Sequence, residues 1–209
     1  MKKLLIILLF FISSFTVNAQ LDVFTAGLIY NNFYYKNIEN DTLNGFYNRL
    51  DSVSLDMNQD NQNDFVISRY FDFSAVTHTD EFYIKSINGC NIAVDKTIQC
   101  DPVAYNYNIG KIFTYGDTIN STDVNYQDTK VYMAIDNMLT GWGTCYSGCW
   151  NTLYNKFIGV EITENNQTIH DAWIRLGEIN CYPAANKVII YDYCLNKKND
   201  SIPDLYTTT

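Results

Sequence analysis

Asp56-Met57-Asn58-Gln59-Asp60-Asn61-Gln62-Asn63-Asp64 sets an oxygen-bearing side chain at every second place. Calcium takes about six to eight oxygen ligands from a short, curled segment, and side chains at alternate places can converge on it. Counted from Asp56, the ligand places of such a loop hold Asp56, Asn58, Asp60 and Asp64. Gln62 stands where a backbone carbonyl is usual. Asn61 occupies the sharp bend where glycine is usual, and asparagine enters the left-handed region at modest cost. Ile67 replaces the bidentate Glu of a helix–loop–helix hand, so the loop belongs between strands. The expected cofactor is Ca2+; the competing reading is a polar Asn/Asp-rich turn that holds no ion.

Other residues suited to chemistry are sparse. Gly141-Trp142-Gly143-Thr144-Cys145-Tyr146-Ser147-Gly148-Cys149-Trp150 offers Trp142, Tyr146 and Trp150 as stacking surfaces for a sugar or a peptide. Against this, Trp150 and Trp173 also suit a core. His170 and Asp171 adjoin, but neighbours on a strand point to opposite faces and are not a poised pair. The only other histidine is His78, and no serine sits in a nucleophile elbow. A glycosidase-like carboxylate pair is always conceivable in so acidic a chain and ranks third, behind a binding module and a purely structural or interaction domain. Six cysteines, Cys90, Cys100, Cys145, Cys149, Cys181 and Cys194, read as three disulfides in an oxidising compartment. Proximity favours 90–100, 145–149 and 181–194.

The elements that would position these groups are strands. Val53 to Met57 and Phe65 to Phe73 flank the aspartate loop as a hairpin. Glu81 to Ile87 turns at Asn88-Gly89, the favoured tight-turn pair, and returns as Cys90 to Val94. Ile112 to Ile119 carries a Gly-Asp turn, and Lys130 to Ile135 alternates apolar and mixed faces. Lys156 to Ile162, Thr168 to Leu176 and Lys187 to Tyr193 read as three successive strands, with Arg175 and Glu161 able to pair across two of them. No stretch of a dozen residues shows a helical period. Many short strands at intervals of about ten residues point to an all-β fold, a disulfide-stapled sandwich of two mostly antiparallel sheets.

The aspartate segment resembles the Asp-rich loops of FG-GAP and related calcium-binding repeats, where a strand enters and another leaves. That resemblance makes Asp56, Asn58, Asp60 and Asp64 the side-chain ligands. A wider resemblance joins this loop to Gly116-Asp117-Thr118-Ile119, Phe157-Ile158-Gly159-Val160 and Ala172-Trp173-Ile174-Arg175-Leu176. Together these look like an uncharacterised group of secreted bacterial β proteins of the Bacteroidetes type. Phe157 stands where that group has Tyr, and Ala172 where it has Gly. The resemblance implies export and a β fold, and carries no activity.

The N-terminus fits export. Lys2-Lys3, an apolar run from Leu4 to Phe11, and Ala19 before Gln20 lay out a secretory signal peptide over residues 1–19. Residues 20–209 then form one domain with a loose polar tail. Removing Lys2 and Lys3 from the 14 basic residues leaves 12 against 23 acidic ones, a formal charge of −11. That balance opposes nucleic acid and anionic membranes, and Ser13, Ser14, Thr16 and Asn18 interrupt the longer apolar stretch that a membrane anchor needs. The expectation is a secreted, extracellular, calcium-stabilised module that binds a glycan or a peptide.

Overall fold

A computed structural model describes residues 24–29, 33–44, 49–73, 77–100, 105–119, 124–139, 143–147, 155–164, 168–177 and 187–196. Every regular element among them is a strand. In chain order these are β1 (Phe33–Asn44), β2 (Arg49–Leu55), β3 (Phe65–Phe73), β4 (Thr77–Ser86), β5 (Asn91–Cys100) and β6 (Tyr105–Gly110). The short β7 (Ile112–Phe113) and β8 (Asn125–Gln127) follow, then β9 (Lys130–Leu139) and β10 (Gly143–Ser147). β11 (Lys156–Glu164), β12 (Thr168–Gly177) and β13 (Lys187–Asn196) complete the set.

All thirteen belong to one sheet, in the order β1-β13-β12-β11-β5-β6-β9-β4-β3-β2, with β7 on β11, β8 on β5 and β10 on β9. The expected two-sheet sandwich is therefore wrong. Its two halves are stitched by Val160↔Ile92 and Glu161↔Asn91 between β11 and β5, and by the parallel pairs Asn108↔Val131 and Ile109↔Tyr132 between β6 and β9. The sheet curls into a half-barrel. One apolar cluster gathers Leu55, Phe65 and Ile67 with Ile84, Ile158, Val160, Ile174, Ile190 and Leu195, residues from both ends of the strand order. Sandwich and curled sheet demand the same alternation of inward apolar and outward polar residues, so the pattern does not separate them.

The turn at Asn88-Gly89 forms as expected: both residues have positive φ (55° and 74°), and the Cys90 N–H donates to the Ile87 carbonyl at 3.1 Å. The strands it joins do not pair. β4 lies between β3 and β9, whereas β5 lies between β6 and β11. The Ile87 N–H is taken by the Asp64 carbonyl at 2.8 Å, so the turn makes a corner, not a hairpin.

A second apolar cluster lies on the outer face of β11–β13. Trp173, Phe157 and Cys194 are covered there by Phe24, Ala26, Phe113, Ile119 and Val124. The covering segments are bonded together through Ala26 N–H to Asp117 O (2.9 Å) and Ile119 N–H to Phe24 O (2.8 Å). Trp173 meets Phe157 edge-on at 5.1 Å, a contact worth about 0.5–1.5 kcal/mol beyond the area it buries. This places Trp173 in a core.

The disulfide expectation also fails for the 90–100 and 181–194 pairs. Cys90 and Cys194 are buried free thiols, one in each apolar cluster. Cys90 precedes β5 and Cys100 ends it. At about 3.3 Å per residue they stand roughly 30 Å apart, far beyond the ~7 Å Cα separation a bridge allows. With Cys194 free, the 181–194 bridge is excluded; Cys149 and Cys181 themselves, like residues 1–19, lie outside the described residues.

Candidate functional site

β1 and β2 are the two ends of the strand order. Among the described residues β1 pairs only with β13, and β2 only with β3. The curl brings these edges beside each other without joining them in a ladder. At one end the Asn44 N–H donates to Asp51 Oδ2 at 2.9 Å; at the other the Gln59 amide donates to the Tyr34 hydroxyl. Between the pinned ends lies a cleft of about 450 Å³. Its walls are Lys36, Ile38 and Asp41 of β1, Val53, Ser54 and Leu55 of β2, and Asp56, Gln59, Asn61 and Asn63 of the aspartate loop. Tyr193 of β13, opposite Lys36, is buried beside the cleft; its hydroxyl crosses the seam to the Asp56 carbonyl at 3.0 Å.

Local sequence explains these walls. β1 carries extra residues between Asn37 (opposite Asp192) and Asp41 (opposite Ile190), a bulge that breaks the β13 ladder beside the cleft. On β2, Val53 and Leu55 turn inward while Ser54 stays exposed, the period-two alternation of a half-buried strand.

The aspartate loop closes one end of the cleft, and its geometry overturns the calcium expectation. Each ligand expected from sequence serves the loop's own backbone. The Asp56 carboxylate accepts from Gln59 N–H (2.7 Å) and Asn61 N–H (2.9 Å). Asn58 Oδ1 accepts from Asp60 N–H at 3.1 Å, and Asp60 Oδ1 from Gln62 N–H at 2.8 Å. Asp64, buried, accepts from Met57 N–H at 2.7 Å and Asn58 N–H at 3.4 Å. The Gln62 side chain is exposed. Among the described residues no three His, Cys, Asp or Glu side chains are grouped to hold a metal ion. The oxygens that a cation would have gathered are satisfied by amides, which is what Asx turns do. Gln59 and Asn61 both sit at positive φ (65° and 67°), so the left-handed bend expected at Asn61 is present without glycine. Burial pushes the Asp64 carboxyl up; the Met57 and Asn58 amides oppose this, and Asp56 and Asp60 add to it.

The other expected site residues lie elsewhere. Trp142 and Trp150 are outside the described residues. Tyr146 lies on β10 opposite Asp136 of β9, remote in the strand order from β1 and β2. His170 and Asp171 do face opposite ways. His170 is buried, with Nδ1 3.1 Å from the Asn196 carbonyl; Nε2 is 3.2 Å from Glu164 Oε2 but off the axis of a hydrogen bond. Asp171 stands opposite Glu161. Arg175 therefore does not pair with Glu161: it grips Asp192 on β13 through Nε at 2.9 Å, with a second contact through its terminal nitrogen, and Tyr35 donates to the same carboxylate at 2.8 Å.

Sequence reading missed Lys36, Asp41 and Ser54 because nothing local marks them; they become a site only when the sheet's ends meet. No helix among the described residues is long and apolar enough to cross a membrane. Comparison of the chain with family models, with curated proteins and with solved structures finds no match.

Proposed function

We propose that this protein is an exported binding module whose ligand seat is the cleft between β1 and β2. The observation that carries the reading is the cleft itself. At about 450 Å³ it falls within the ~300–1,000 Å³ of small-ligand sites. Polar side chains outnumber aliphatic ones on its walls, which suits a small polar ligand of the saccharide or peptide kind. The signal-peptide pattern at residues 1–19 and the resemblance to secreted bacterial β proteins support export, and the acidic balance of the chain opposes a nucleic-acid partner.

The test is a screen of the mature protein against glycan and short-peptide arrays, repeated with Ser54→Tyr. Ser54 is exposed on the β2 wall, so a tyrosine there fills the cleft without disturbing the core. Binding to one array that Ser54→Tyr abolishes is the expected result. Silence on both arrays would sink the reading and leave a structural domain.

A further inference from the structure

Two charged side chains face the cleft from the same strand, Lys36 and Asp41, both exposed. Neither has an ion pair with any described residue, whereas Arg69, Lys130 and Arg175 are each held by a carboxylate. The spacing of the two backbone positions can be read from the neighbouring strand. Lys36 stands opposite Tyr193 and Asp41 opposite Ile190. Tyr193 and Ile190 are three residues apart on β13, which has its own bulge there, since they face Ile174 and Leu176 of β12, two residues apart. The two backbone positions therefore stand about 7–10 Å apart. A cation and an anion anchored about 7–10 Å apart on the backbone match the two termini of an extended peptide about two to three residues long.

The backbone supplies the rest of the recognition. Alternate residues of an edge strand direct their N–H and C=O groups away from their partner strand, and an extended peptide can satisfy them by strand addition. Resting on the reading of the cleft as the ligand seat, we propose that the ligand is a free peptide about two to three residues long, laid antiparallel along β1. Its α-ammonium pairs with Asp41 and its α-carboxylate with Lys36. The direction follows from the charges: a chain antiparallel to β1 begins beside Asp41 and ends beside Lys36.

Two alternatives fit less well. A longer strand would carry one charged terminus past Lys36 or Asp41, and one of more than about seven residues would meet the pinned ends, Asn44 with Asp51 and Tyr34 with Gln59. A neutral saccharide would offer Lys36 and Asp41 no charge-assisted contact. It would also lack a stacking face, since Tyr193 is 1 % exposed.

The test is calorimetric titration of the mature protein with trialanine, N-acetyl-trialanine, trialanine amide and cellotriose. Free trialanine should bind, and each cap should weaken binding about tenfold or more, because it removes one charge-assisted contact. Lys36→Gln should erase the difference between acid and amide while keeping sensitivity to the N-acetyl cap; Asp41→Asn should do the reverse. Both positions are exposed, and thermal melts will show that the variants fold. Equal binding of capped and free peptides overturns the proposal, as does binding that Ser54→Tyr leaves intact. Cellotriose binding that Ser54→Tyr abolishes, with no response to trialanine, overturns the peptide while sparing the cleft as a binding site. No heat from any of the four ligands, together with silent arrays, overturns both.

Discussion

Asp64 shows how much one buried carboxylate can do without a metal. It is 2 % exposed and accepts two backbone amides at the mouth of the loop. Asp64→Ala should leave those amides unsatisfied and cost about 1–3 kcal/mol. Asp64→Asn keeps an acceptor and removes a charge, so its cost should be much smaller. The pH dependence follows from the raised folded pKa. The native state holds this proton more tightly than the unfolded chain, so native stability falls as pH rises from the ordinary value of 3.8 through the folded value. Urea melts of wild type and Asp64→Asn across acid pH should diverge in that window, with wild type losing stability relative to the variant as pH rises. Calcium or chelator should leave both melting points in place. Cys90, with Sγ 3.7 Å from Asp64 Oδ1, and Cys194 are pushed up to about 12, each chiefly by burial. Neither should be alkylated in the native protein at pH 8, and both should react once it is unfolded. Rapid native labelling at Cys194 would contradict its place in the outer core.

At the scale of elements, the β11–β12 pair carries a conflict. Glu161 and Asp171 are directly opposite, like charges on adjoining strands, and Glu161 is 7 % exposed. Burial raises the Glu161 pKa first and Asp171 raises it further, while the Asn91 amide, 3.1 Å from Glu161 Oε2, opposes both. As at Asp64, the penalty is full above the folded pKa and vanishes below the ordinary value of 4.5. Glu161→Gln keeps an acceptor for Asn91 and removes the repulsion, so it should stabilise the protein at pH 7 by about 1 kcal/mol, or about 2–4 °C in Tm. A lower Tm for the glutamine variant would mean that the carboxylate is favourably solvated or paired. The surrounding strands tolerate the conflict because Ile158, Val160, Ile162, Ala172 and Ile174 are fully buried along the same two strands.

For the molecule as a whole, the seam is the weak line. Every other junction in the strand order is a backbone ladder, whereas β1 and β2 meet through side chains and the Tyr193 hydroxyl. Tyr193→Phe removes the bond to the Asp56 carbonyl and should cost about 0.5–1.5 kcal/mol. Its signature should be local: faster amide exchange in β1 and β2, with β11 and β12 unchanged. Exchange that rises uniformly across the sheet would show that the seam does not open by itself. Ligand binding in the cleft should slow the same amides, which ties the fold's weak line to the proposed function.

The local pieces were legible in the residue pattern. Strand composition marked β2 and β3 around the aspartate loop, and β11, β12 and β13 as consecutive neighbours. Asn88-Gly89 fixed a tight turn, because few other residue pairs hold two successive positive φ angles. The alternating oxygens of residues 56–64 fixed a tightly curled loop, but whether those oxygens face an ion or the loop's own amides depends on backbone geometry that spacing does not specify. Tertiary structure alone decided the rest. The β4–β5 corner, the short pairings of β5 with β11 and of β6 with β9, and the cleft at the seam all join residues distant in sequence. Period-two alternation shows which residues of a strand face a core. It carries no information about which edge finds which, and on that edge pairing depended the choice of one curled sheet over two packed ones.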